Sequence, residues 1–117
     1  QLPTTLPTLD ELIGVDGITE ENVHERLLEL TRNPLPHGHV FTLHAEIEGM
    51  KLLPILERLL AGWRSQGYTL TSTRDIYSGL NLPQLPRHEV VRGTLPGRSG
   101  TLMLQGDEFL AAWKTAA

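Results

Sequence analysis

The sequence predicts an α/β fold. Two short apolar runs that suit strands, 40–44 and 68–71, alternate with two helix-patterned segments, 54–66 and 72–80. A strand, a helix, a strand and a helix in this order predict parallel strands with right-handed crossovers. The 117 residues are enough for one domain with a hydrophobic core.

The composition narrows the class of protein. Hydrophobic residues make up 39% of the chain and charged residues 21%, a mixture typical of globular domains. The absence of cysteine excludes disulfides and thiolate metal sites, and the net charge of −4 does not favour binding to nucleic acid. No apolar run approaches the roughly 20 residues of a membrane span.

The N-terminal part predicts an extended entry and two helices. Residues 1–7 alternate apolar and polar residues around two prolines, as in an edge strand or an extended arm. Thr8 is the expected N-cap of a short helix that ends at Gly14. Thr19 is the expected N-cap of the next helix, whose apolar face is Val23, Leu27 and Leu30.

The central strand and helix should form the core. Along the strand 40–44, alternation places Phe41 and Leu43 on one face and His44 on the other. Pro54 suits the first turn of the following helix, and Gly67 ends it. The expected buried stripe of that helix is Ile55, Leu56, Leu59, Leu60 and Trp63.

The last third predicts a hairpin. Two apolar runs, 89–94 and 101–105, flank the turn sequence "LPGRSG". A helical turn with Phe109, Leu110 and Trp113 on one side is expected at the end.

The histidines do not predict a metal site within this chain. If the segment is extended at about 3.3 Å per residue, His39 and His44 lie roughly 16 Å apart. Ligands of one zinc ion must each lie about 2.0–2.1 Å from it. His37 and His39 alone lack a third ligand, so a solvated loop is the simpler interpretation.

Four residues are candidates for a site. His44 ends the predicted strand, where α/β barrels place catalytic groups, although a structural histidine is an equal alternative. Glu46 and Glu48 follow at even spacing and are either site acids or solvated loop acids. Arg92, near Arg98, is either an anion ligand or a surface charge.

Several segments carry a family resemblance. The order "TLHAEIEG", a helix, then "GYTLTSTRDIY" resembles the end of the polysaccharide deacetylase superfamily. The segments "QLPTTLPTLDELIG", "HAEIEG" and "VVRGTLPGRSG" are similar to one branch. Members of that branch remove formate from 4-deoxy-4-formamido-L-arabinose on undecaprenyl phosphate.

The resemblance implies a longer (β/α) barrel of which residues 1–117 are the C-terminal half. Residues 1–80 would belong to the barrel, and residues 81–117 would form a C-terminal extension. The family's metal ligands, an Asp and two His, and its general base lie in earlier motifs that this sequence lacks. Because the chain also begins with Gln1 rather than Met, we expect a processed start or one piece of a longer polypeptide.

By the same resemblance His44 is the general acid that protonates the leaving amine, and Glu46, Glu48 and Arg92 are expected to bind substrate. The Asp that orients this His is expected upstream of the chain. The intact enzyme is expected to use a divalent metal, zinc, manganese or cobalt, none of it held by this chain alone. This chain by itself is expected to be inactive.

The expected role is in aminoarabinose modification of lipid A, which confers resistance to cationic peptides, at the cytoplasmic face of the bacterial inner membrane. Expected partners are the missing N-terminal half and the polyprenyl-phosphate sugar, with peripheral membrane contact and no nucleic acid. An open sheet edge predicts dimerisation, pairing with the missing half, or aggregation. Two alternatives stay open: a non-catalytic α/β binding module and another carbohydrate N-deacetylase.

Overall fold

The computed structural model describes residues 2–109 and divides the chain into two compact units, Gln1–Thr73 and Arg74–Ala117. It contains both helices and strands, as predicted for an α/β protein. The sheet found among the described residues has two strands and does not establish a barrel. None of the helices in this part of the chain is long and apolar enough to cross a bilayer.

Three helices build the first unit: α1 (Leu9–Leu12), α2 (Val23–Leu30) and α3 (Leu53–Ser65). The cap of α1 is as predicted, since the Glu11 carboxylate accepts the backbone N–H of Thr8 at 2.9 Å. Helix α2 begins four residues after its predicted cap. The Thr19 N–H donates to the Asn22 side chain at 2.8 Å, so residues 19–22 form a turn and Asn22 becomes the cap.

The core lies where these helices meet. Leu9, Val23, Leu27 and Leu59 are fully buried, and Leu6, Leu52, Ile55 and Trp63 complete the cluster. The buried stripe of α3 differs from the predicted one at Leu56, which is only partly buried, and at Leu60, which is 37% exposed. The stripe instead follows Leu52, Ile55, Leu59 and Trp63, spaced three or four residues apart as one helix face requires.

Neither predicted strand of the first unit forms among the described residues. Residues 40–44 and 68–71 are neither helix nor strand. A strand requires a hydrogen-bonded neighbouring strand, and Val40 is hydrogen-bonded to Thr5, which belongs to no strand among the described residues. The Thr5 N–H donates to the Val40 carbonyl at 3.0 Å, and the Val40 N–H donates to the Thr5 hydroxyl at 2.8 Å.

The side chain of Thr31, at the end of α2, joins α2 to α3. It is 1% exposed, and its hydroxyl accepts the indole N–H of Trp63 at 3.1 Å. The same hydroxyl lies 2.7 Å from the Gln66 amide oxygen, to which it can donate. The Tyr68 hydroxyl donates to the Thr31 carbonyl at 2.6 Å. The hydroxyl and the carbonyl of Thr31 are therefore both hydrogen-bonded, as buried polar groups require.

The second unit contains a hairpin, as predicted. Strands β1 (Arg87–Gly93) and β2 (Leu102–Phe109) pair antiparallel, with a register shift between His88 and Val90. A brief helix, α4 (Thr73–Ser78), and one 3₁₀ turn (Leu82–Gln84) precede them.

The predicted terminal helical turn is wrong at its start. Residues 107–109 continue β2, where Phe109 pairs with Arg87 and Glu108 with His88, because the ladder offers their backbone groups partners. Leu110 and Trp113, the rest of that prediction, lie outside the described residues.

Adjacent leucines on α3 provide a matched test of the core. We expect Leu59→Ala to lower the free energy of unfolding by about 2–5 kcal/mol, because it leaves a cavity at a fully buried position. Leu60→Ala should cost clearly less, since its side chain already meets solvent. Urea unfolding of both variants checks this; equal losses would contradict the assigned helix face.

The Thr31 hydroxyl gives a second test. Thr31→Val keeps the shape but leaves the Trp63 indole N–H without its acceptor, so we expect a loss of about 1–3 kcal/mol. Thr69→Val, at an exposed position just beyond Tyr68, is the control and should change stability little. The hydrogen-bond account fails if the two valine variants unfold at the same urea concentration.

Candidate active site

The candidate site is built around His44, at the end of a segment anchored by aromatic contacts. The Phe41 ring meets the Trp63 ring edge-on, with centroids 5.4 Å apart. The His39 ring meets Tyr68 in the same manner at 5.9 Å. Leu43, predicted to share one face of a strand with Phe41, is 53% exposed. The segment is therefore fixed to α3 up to Phe41 and emerges at the surface before His44.

The His44 imidazole faces a carboxylate from α1. Its Nδ1 lies 3.9 Å from Oδ1 of Asp10, close enough for an ion pair when the ring is protonated but too long for a hydrogen bond. Nδ1 itself is buried, whereas the side chain as a whole is 29% exposed, so the ring meets solvent along another edge. A ring buried on one side beside an acid and open on the other can hold and deliver a proton.

A carboxylate of this chain faces the candidate acid. The Asp that the resemblance assigns to orient this His is expected upstream and stays a prediction, while Asp10 is the acid that the structure places beside the ring. From the sequence, Asp10 is a first-turn acid that suits the positive end of α1. No local signal joins it to a histidine 34 positions later; only the fold brings them together.

A wide helical turn, Ile47–Lys51, follows His44; Glu46 is the residue just before it and Glu48 lies within it. Its closing hydrogen bond spans five residues, from the Leu52 N–H to the Ile47 carbonyl at 3.0 Å. The turn carries Glu46 and Glu48 in different directions, so their burial differs sharply.

Glu48 is buried and bound to His44, whereas Glu46 is exposed. The Glu48 side chain is 1% exposed, and its Oε2 accepts the backbone N–H of His44 at 2.8 Å. Its Oε1 is buried and makes no hydrogen bond with the described residues. The structure thus brings together His44, Glu48 and Asp10, and leaves Glu46 free to meet solvent.

Arg92 lies in the other unit. It is an exposed residue of β1 and pairs with Met103 of β2.

The other histidines of the described chain do not gather around a metal. No group of three or more His, Cys, Asp or Glu residues within 2–109 is arranged to hold a metal ion. His39 is instead engaged with the Thr5 hydroxyl at 3.1 Å and the Asn33 carbonyl at 3.3 Å.

One surface pocket lies away from His44. It is lined by Glu20, Glu21, Lys51, Leu52, Pro54, Ile55 and Arg58. Lys51 and Glu20 form an ion pair of 2.6 Å there, but both side chains are well exposed and the pair adds little stability. None of the predicted site residues lines this pocket.

Two of the curated proteins that are similar to the chain are named probable 4-deoxy-4-formamido-L-arabinose-phosphoundecaprenol deformylase ArnD. The protein from Shewanella sediminis is 30% identical over 106 residues, which is 90% of this chain and 33% of that protein. The protein from Wigglesworthia glossinidia brevipalpis is 31% identical over 105 residues, 90% of this chain and 36% of that protein.

No family model and no solved structure matches the chain. The chain spans about a third of the length of the curated relatives it matches. The resemblance that the sequence motifs indicate is thereby confirmed: over nine-tenths of its length the chain is similar to part of the deformylases that act on formamido-arabinose-phosphoundecaprenol.

Proposed function

We propose that the intact protein is an amide hydrolase that removes formate from 4-deoxy-4-formamido-L-arabinose on undecaprenyl phosphate. The observation that carries this proposal is the His44 imidazole, partly exposed and facing Asp10, within a chain similar to named deformylases. In this proposal His44 is the general acid.

The chemistry requires such an acid. When the tetrahedral intermediate collapses, the C–N bond breaks and the sugar nitrogen leaves. An amine is a poor leaving group as an anion, so the nitrogen must receive a proton as the bond breaks. The protonated His44 ring supplies it from its accessible edge, and the Asp10 carboxylate lies 3.9 Å from Nδ1 on the other side.

Substrate contacts are proposed for two exposed residues. Glu46 lies two positions from His44 and is exposed, so its carboxylate is available to the amino group released on the sugar. Arg92 is proposed to bind the phosphate of the polyprenyl carrier, which a guanidinium recognises well. Glu48, also predicted to bind substrate, has its carboxylate buried against the His44 backbone.

The remaining parts of the reaction are assigned to polypeptide outside this chain. The described residues do not fit the expected divalent metal, so we derive no step through it. We propose that its ligands, and the strands that would complete a barrel beside residues 40–44, belong to the missing part of the protein. The proposed process is aminoarabinose modification of lipid A, at the cytoplasmic face of the inner membrane.

The role of His44 is tested in the intact protein with His44→Ala. We expect kcat to fall about 10²- to 10⁴-fold, the usual contribution of general acid catalysis, with kcat/KM falling in step. Metal content and melting temperature should stay close to those of the wild type, because His44 is neither a ligand nor a core residue.

His37→Ala is the control, since His37 lies in an exposed loop and should leave kcat unchanged. A folded, metal-loaded His44→Ala enzyme with near-normal kcat would refute the assignment. Comparing N-formyl with N-acetyl forms of the sugar would distinguish the deformylase from another carbohydrate deacetylase.

A further inference from the structure

We propose that Glu48 is a positioning residue: its carboxylate fixes the backbone of His44 and thereby sets where the imidazole points. This inference rests on the proposed function in that His44 is the proton donor there. It gives Glu48 a role different from the substrate contact that its place in the sequence suggests.

Hydrogen bonds hold His44 at both of its backbone polar atoms. Its N–H donates to Glu48 Oε2 at 2.8 Å. Its carbonyl accepts the N–H groups of Ile47 and Glu48, each at 3.0 Å. Glu48 therefore contacts both atoms, with its side chain on one and its backbone on the other. These hydrogen bonds, one to each backbone polar atom, restrain rotation of the His44 backbone.

Burial excludes a direct contact between this carboxylate and substrate. Only 1% of Glu48 is exposed, and Oε1 as well as Oε2 lies away from solvent. A sugar amino group could reach the carboxylate only if the wide turn unwound. Glu46, exposed two positions earlier, meets no such obstacle.

Stability alone does not explain a carboxylate at this position. Burying a charge with one oxygen unpaired costs free energy, and an apolar side chain of similar volume would avoid that cost. What an apolar side chain cannot do is accept the His44 N–H. The carboxylate is thus explained by the orientation that it imposes on its neighbour.

The proposal requires a side chain at position 48 that is long enough to reach the His44 N–H and that carries an oxygen to accept it. Two conservative substitutions should therefore differ in kcat. Glu48→Gln keeps the length and an oxygen acceptor, whereas Glu48→Asp keeps the charge but is one methylene too short. We expect the Gln variant to retain most of kcat. The Asp and Ala variants should lose about 10- to 100-fold, because small displacements of a catalytic group have effects of this size.

Whether a substitution changes kcat or KM distinguishes a positioning residue from a substrate ligand. A positioning residue lowers kcat and leaves KM nearly unchanged, whereas a substrate ligand raises KM with kcat preserved. Glu57→Ala, at an exposed position on α3, should show neither and serves as the matched control.

A second readout does not require the reaction. In the intact protein with ¹⁵N-labelled histidine, the ring signals of His44 can be assigned by their loss in His44→Gln. We expect Glu48→Asp and Glu48→Ala to shift or broaden these signals, while those of His37 and His39 stay in place. If the wild type hydrolysed no formamide, the proposed function would fail and this measurement would still test the role of Glu48.

Unchanged His44 signals together with native kcat in a folded Glu48→Ala protein would overturn the proposal. If the Ala variant fails to fold, comparison of the Gln and Asp variants tests the proposal instead. Equal kcat and equal His44 signals in these two would show that the reach of the side chain does not matter, and would also overturn it.

Discussion

The buried hydroxyl of Thr31 is the interaction on which the first unit depends. It accepts the indole N–H of Trp63 and lies within donating distance of Gln66, while the Thr31 carbonyl accepts the Tyr68 hydroxyl. Leucine packing between α2 and α3 supplies most of the favourable free energy, but it is not directional. The polar contacts at Thr31 fix how far the two helices slide along each other, because buried donors and acceptors must find specific partners.

The same hydroxyl indirectly supports the candidate site. Trp63, held by Thr31, presents its ring to Phe41, and Tyr68, held by the Thr31 carbonyl, presents its ring to His39. These contacts lie just before His44. From the other side, Asp10 faces the imidazole and Glu48 holds the backbone. His44 lies on a segment that has no sheet partner among the described residues. That segment is thus held by contacts from α1, from α3 and from the wide turn.

The sequence predicts those features whose causes are local. Apolar spacing located α2 and α3, and the glycine-rich turn located the hairpin, because each depends on neighbours along the chain. The predicted strands at 40–44 and 68–71 do not form, because strand formation depends on a partner that the described residues do not supply. The sequence also could not predict that His44 and Asp10 face each other, since this depends on how α1 packs in the fold.

The burial of Glu48 is a further feature that the sequence could not predict. Even spacing along an extended segment would place Glu46 and Glu48 on one face, yet one is exposed and the other is buried. The difference arises because the chain winds into a wide turn, with Met50 at φ −128° and ψ −105°. Sequence periodicity cannot indicate which side chain such a turn buries.

The wide turn also couples loop length to helix rotation. Its closing hydrogen bond joins residues five positions apart, Ile47 and Leu52, and α3 begins immediately afterwards. In a helix each residue turns the chain by about 100°. Deleting one residue from Ile47–Lys51 would either rotate Leu52, Ile55 and Leu59 out of the core or pull Glu48 away from His44. Insertions and deletions should therefore be tolerated poorly here, although the segment lies at the surface, where loops usually vary in length.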